Sequence, residues 1–268
     1  MYPSSSLIIS TYNWPQALAV CLKSALAQKM LPDEIIIADD GSGSETKQLV
    51  KKFQFHSPVP IRHLWHEDKG FRLAHIRNKA IAAAKGEYII QVDGDILLHP
   101  YFIADHFHFA KKNSFVRASR IYINEDISKE MLQHQKININ LFSKGISNFF
   151  SAIRLPLLWP FFATTYKNKG AERFEIHGCN MAFWKQDAIE VNGYNEDFTG
   201  WGPEDKEFVA RLLNAGKEKR FLKLGGIAFH IYHKENSKSN LKENERLLEQ
   251  TILKKYSFCK SGINKYID

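Results

Sequence analysis

Two carboxylates separated by one glycine, Asp93-Gly94-Asp95, close the run IIQVDGD. In extended backbone, residues two apart project from the same side, so both carboxylates can address one cation. Hard divalent ions such as Mg2+ and Mn2+ take carboxylate oxygens and bridge diphosphate oxygens. The same residues also make an ordinary turn at a strand end. A second acidic pair, Glu204-Asp205 in WGPED, opens a stretch with helical spacing. It suits the first turn of a helix, where negative charge is favourable. His230 and His233 in GIAFHIYH offer imidazoles to a metal. If that segment stays extended, residues three apart face opposite sides, so only one of the two is expected at the ion. Arg72 and Arg77, in FRLAHIRN, present guanidinium groups that fit phosphate, or else a solvated helix face. Asp39-Asp40-Gly41-Ser42 reads as a turn ahead of a helix cap at Ser44, or as polar groups turned to a ligand.

These residues need elements to hold them. Short runs rich in Ile and Val at 7–10, 34–38, 61–64 and 88–92 predict strands. Between them, 15–27, 45–53 and 73–84 carry apolar residues at helical spacing, with Pro15 suited to a first turn. Strands alternating with helices predict βαβ units and an open, mostly parallel α/β sheet. Ligands of such sheets sit beyond the carboxyl ends of the strands. Thr11-Tyr12-Asn13, Asp39 to Ser42 and Asp93 to Asp95 all fall there. Further along come a strand-like 177–184, a helix over 204–213, a strand near 226–230 and a helix-prone tail from 241.

Apolar residues make up 44% and charged residues 25%, which excludes disordered and fibrous classes. Lys and Arg outnumber Asp and Glu by 37 to 29, a net charge of +8 that favours anionic partners. No recognition helix, zinc finger or ribonucleoprotein motif accompanies that charge, so no nucleic-acid partner is expected. Three scattered cysteines suggest neither a disulfide framework nor a zinc knuckle and fit a reducing, cytoplasmic setting. No signal peptide or membrane span is expected. The basic and aromatic stretch around LPLLWPFF suits an acceptor groove, a helical insertion packed on the body, or peripheral contact with the inner face of a membrane.

Four segments, LIISTYNWPQALAVCLKSALAQ, EIIIADDGSGSET, FRLAHIRNKAIAAAKGEYIIQVDGD and GYNEDFTGWGPEDKEFVARL, resemble in order and spacing the family 2 glycosyltransferases. The last is similar to the galactosyltransferase-type carboxyl-terminal region of that group, chondroitin polymerase-like transferases included. The resemblance implies a GT-A fold in a single domain, 1–268. A nucleotide-sugar-binding half would take 1–123, a helical insertion 124–172, and an acceptor-binding half with its tail 173–268. It implies inverting transfer of a hexose or N-acetylhexosamine from an NDP-sugar, with UDP first, to a hydroxyl of a surface glycan or lipid-linked saccharide, with Mn2+ or Mg2+. Matched position by position, Thr11, Tyr12 and Asn13 would lie against the nucleotide and Asp40 would contact the base. Arg72, Arg77 and Gly94 would face the nucleotide. Asp95 would ligate the metal, and Asp93 would contact the ribose or share the ion. The second ligand would be His233, ahead of His230. Asp205 would be the base and Glu204 would orient a sugar. Trp201, with Gly202 and Asn180, would meet a sugar ring. The competing reading of the same residues is a metal-dependent phosphohydrolase acting on nucleotide-linked substrates.

Overall fold

The computed structural model describes residues 2–139, 144–234 and 240–267. Its first half repeats a strand-to-helix step. β1 (Ser5–Thr11) leads into α1 (Pro15–Leu26), β2 (Glu34–Asp39) into α2 (Ser44–His56), and β3 (Ile61–Trp65) into α3 (Leu73–Ala83). β4 (Tyr88–Asp93) is followed by β5 (Ile96–Leu98), α4 (Phe102–Phe109), β6 (Ser114–Ala118) and β7 (Arg120–Tyr122). The insertion holds α5 (Glu125–His134), capped by the Asn124 side chain, and the short α6 (Trp159–Ala163), with 3-10 turns between. Its residues 140–143 lie outside the described residues. The rest is β8 (Asn180–Trp184), α7 (Lys185–Glu190), α8 (Glu204–Asn214), β9 (Glu218–Leu222), β10 (Ala228–His230) and α9 (Leu241–Leu253). The periodic segments form the expected elements to within a few residues, except that 177–184 becomes strand only from Asn180.

The seven-stranded sheet runs β3-β2-β1-β4-β8-β6-β9, with β8 antiparallel to its neighbours β4 and β6. Alternation along β1 explains how both faces are covered. Leu7 and Ile9 pack with Leu18, Cys21, Leu22 and Ala25 of α1, residues spaced on one helical face. Ile8 packs on the opposite face with Ala74, Ile76, Ala80 and Ile81 of α3 and with Phe208 and Leu212 of α8. Each large side chain buried this way stabilises the fold by about 1.5–3 kcal/mol. The three cysteines are buried and unpaired.

A smaller sheet, β5-β10-β7, stands beside the large one. Its register sets His230 opposite Ile96, one residue beyond Asp95. In the large sheet Thr11 pairs with Asp39 and Ser10 with Asp93, so the three ligand-facing loops leave the sheet at one level. No helix among the described residues is long and apolar enough to cross a membrane.

Candidate active site

Where the strand order turns back between β1 and β4, the loops enclose a cleft of about 860 Å3. Small-molecule sites are commonly of this size and lie at such switch points. Thr11, Tyr12, Asp40, Asp93, Gly94, Asp95, Trp201, Gly202, Glu204, Asp205, His230 and His233 all line it. Asn13 does not. Held at φ 44°, it accepts from the Gly43 N–H (2.9 Å) and donates its own N–H to Ser42 Oγ (2.8 Å), tying the first two loops together. Both oxygens of Asp40 are engaged, one with His66 Nε2 (2.6 Å) and one with the Arg72 N–H (2.9 Å). Arg72 turns its guanidinium to the Glu67 carbonyl and leaves the cleft wall. Both side chains therefore shape the loop at 66–72, which the expected base and nucleotide contacts did not anticipate.

Asp95, His230 and His233 gather at the other wall, with one ligand atom from each lying within 4.8 Å of the others. Asp95 Oδ2 stands 3.3 Å from His233 Nε2 and 3.7 Å from His230 Nε2. The expectation that one histidine would face away fails, because β10 ends at His230 and the strand alternation on which it rested does not extend to His233. Asp95 Oδ1 is buried with no hydrogen-bond partner, the state expected of an atom meant for an ion. Burial pushes the Asp95 carboxyl up to about 6 and His230 down to about 4. His230 is thus neutral near pH 7, as a metal ligand must be. Two imidazoles and one carboxylate fit a divalent transition-metal ion.

Arg77 occupies the floor between the acidic groups. It donates to Asp205 (2.8 Å), Asp93 (3.0 Å), Glu204 (3.3 Å) and Ser10 Oγ (3.3 Å), and lies over the Tyr194 ring. It is 1% exposed. Burial works against its charge, and the surrounding acids outweigh that, so the guanidinium is held charged. Arg77 lines the cleft as expected, and Nη1 and Nη2 bond to these acids, so it also organises them. No side chain fits at 178, since a Cβ there would sit 2.0 Å from Asp205 Oδ2. Gly94 has more space, a Cβ there coming 3.1 Å from the Ser10 carbonyl oxygen, to which the Gly94 N–H donates at 2.7 Å.

Burial first, and the neighbouring Asp205 second, raise the Glu204 carboxyl from 4.5 to about 8. An acid whose pKa is raised on folding supports the fold while protonated and opposes it as pH rises through the folded value. Glu204→Gln is therefore expected to match the parent protein's melting temperature near pH 5 and to exceed it near pH 9. Melting curves across that range check this, and a gap that does not widen with pH contradicts it.

Asn180 is also placed differently from expectation. It is fully buried, donating to the Ser119 and Gly226 carbonyls (2.8 Å each) and facing His106 Nε2 (3.2 Å), so it braces β8 and meets no ligand. Trp201 is 39% exposed at the rim. Arg120, His177 and Lys206 also line the cleft, and Tyr194 stands beneath it, yet none was singled out from sequence. His177 lies one residue before the glycine that Asp205 requires, which is the local signal that would have found it.

The model of Glycosyl transferase family 2 matches residues 6–190, and that of the N-terminal domain of galactosyltransferase matches residues 162–234. The chain is 30% identical over 241 residues to a chondroitin synthase of Escherichia coli, covering 84% of this chain and 34% of that protein. A hyaluronan synthase of Pasteurella multocida is 27% identical over 245 residues, covering 86% and 24%. The chain thus spans about a third or less of these relatives. Among solved structures, a mannosyltransferase from Pyrobaculum calidifontis in complex with GDP-Man and Mn2+ superposes with TM-score 0.61 at 18% identity, over 88% of this chain and 59% of that one. S. aureus TarS 1–349 in complex with UDP gives 0.65 at 17% identity, over 93% and 65%. Both support the GT-A architecture built above. As the first of these models covers more than half of its residues, this chain belongs to glycosyl transferase family 2.

Proposed function

We propose that this chain transfers a hexose or N-acetylhexosamine from a UDP-sugar to a hydroxyl of a surface glycan or lipid-linked saccharide, with inversion at the anomeric carbon. The observation that carries this reading is one cleft joining an Asp95–His230–His233 cluster to an Arg77-clamped acidic pair. A divalent cation held by Asp95, His230 and His233 would neutralise charge building on the departing diphosphate. Asp205 takes the proton of the acceptor hydroxyl as the new bond forms, so no covalent enzyme intermediate is needed. Burial raises the Asp205 pKa, and Arg77, which keeps it in place, works against that rise in favour of the ionised form. Glu204, protonated at neutral pH, donates a hydrogen bond to a sugar, and Trp201 offers a stacking face at the rim. Thr11, Tyr12 and Asp40 border the nucleotide end.

The synthases that the chain resembles support a saccharide acceptor, and the neighbour solved with UDP supports a uridine donor. The neighbour solved with GDP-Man and Mn2+ makes GDP the proper control and Mn2+ the first metal to use. Among the described residues the metal-binding groups form one three-residue cluster, which disfavours a two-metal phosphohydrolase.

Calorimetric titration of UDP and GDP, with and without Mn2+, tests the donor site. UDP is expected to bind in the presence of Mn2+ and to weaken at least about tenfold in Asp95→Ala. UDP binding of equal strength without metal would remove the cluster from the mechanism, and preference for GDP would change the donor.

A further inference from the structure

The segment after α5 leaves apolar side chains facing outward in a fixed arrangement. A 3-10 turn over Pro156–Leu158 runs directly into α6, so Leu157 and Phe161 stand one turn apart on one side. Leu157 is 90% exposed, Phe161 71% and Leu158 38%, with Pro160 exposed beside them. The opposite side is anchored. Trp159 and Ala163 are buried in the main core, and the Trp159 indole donates to the Leu224 carbonyl at 2.8 Å. Just upstream, Arg154 is pinned to Asp105 at 2.7 Å. The face is therefore held rigidly outward, and nothing among the described residues covers it.

Charge and area indicate what does. Apart from Arg154, which Asp105 neutralises, the chain from 144 to 173 carries Lys144, Lys167, Lys169 and Arg173 against Glu172 alone, 4 − 1 = +3. Four apolar side chains fall well short of the roughly 800 Å2 that each partner contributes to a stable protein interface. A few inserted apolar groups on a segment of net positive charge are, in contrast, what anchors a peripheral protein on an anionic bilayer. Position agrees. α6 packs on β9, the edge strand farthest from β3, so the face lies on the side of the sheet away from the loops that follow β1 and β2.

We propose that the face formed by Leu157, Leu158, Pro160 and Phe161 inserts into an anionic lipid surface and brings the acceptor end of the cleft to it. The link to the acceptor rests on the lipid-linked reading above; the docking itself does not. The full-length chain, mixed with vesicles of phosphatidylglycerol and phosphatidylcholine at low salt, is expected to sediment with them. It should remain free with pure phosphatidylcholine and be released by salt. Leu157→Glu with Phe161→Glu should lower partitioning by about a hundredfold. Melting temperature and Mn2+-dependent UDP affinity should stay unchanged, because both side chains point away from core and cleft. Parent protein that stays free of anionic vesicles, or a double variant that binds as well as the parent, overturns the proposal. So does a concentration-dependent dimer that the double variant abolishes without vesicle binding, which would assign the face to a second copy. Loss of UDP binding with vesicle binding intact would fault the transferase reading alone.

Discussion

Asp205→Asn is expected to lower sugar transfer by about a thousandfold while leaving Mn2+-dependent UDP binding close to that of the parent protein. The asparagine keeps an oxygen for Arg77 Nη1, now 2.8 Å from Asp205 Oδ1, so the clamp and the fold should persist. What disappears is a group able to accept the acceptor proton. Binding the donor asks nothing of that group, so the loss should fall on turnover rather than on nucleotide affinity. Product formation from a UDP-sugar and a saccharide acceptor, alongside the titration and a melting curve, reads all three quantities. Near-parental turnover in a folded variant would move the base to another residue.

Arg77→Met carries the second large effect, on stability as well as activity. Asp93, Glu204 and Asp205 all bond to this one guanidinium, and removing it leaves the buried Glu204 facing the half-buried Asp93 and Asp205. Stranding buried charge typically costs about 3–5 kcal/mol, which for a chain of this size lowers the melting temperature by about 10 °C or more. Burial already raises the pKa of all three acids. Without the guanidinium those pKa values climb further, so the fold is supported where the acids are protonated and loses that support as pH rises. The deficit should thus be small near pH 5 and large near pH 8, and melting curves at both values decide it. A deficit independent of pH would mean that Arg77 acts by packing on Tyr194 rather than by charge.

Much of the fold was legible because it depends on local pattern. The alternation along β1 and the helical spacing of Leu18, Cys21, Leu22 and Ala25 are visible in the residues, and the glycosyltransferase segments followed them in order. The acidic groups were legible for the same reason, since Asp93-Gly94-Asp95 ends a strand and Glu204-Asp205 begins a helix. Roles set by long-range contact were not. Arg77 lies 128 residues from Asp205 in sequence, and nothing in FRLAHIRN reveals that it bonds there. Asn180 reads as polar and available until the carbonyls of Ser119 and Gly226 are seen to hold it. That both imidazoles reach Asp95 depends on where β10 stops pairing with β5, and that is a property of the sheet.

The stitching of Asn13 to Ser42 and Gly43 bears on the entropy of binding. Ordering a free backbone residue costs about 1–2 kcal/mol. Two loops that had to be immobilised together would subtract that for each residue they contain. Here the first two loops are joined to each other before any ligand arrives, and Asp40 with His66 and the Arg72 N–H extends the same lattice to the loop at 66–72. A nucleotide entering this end meets a surface that has already lost its freedom during folding. The attraction of the cleft can then appear as affinity instead of being absorbed in arranging the chain.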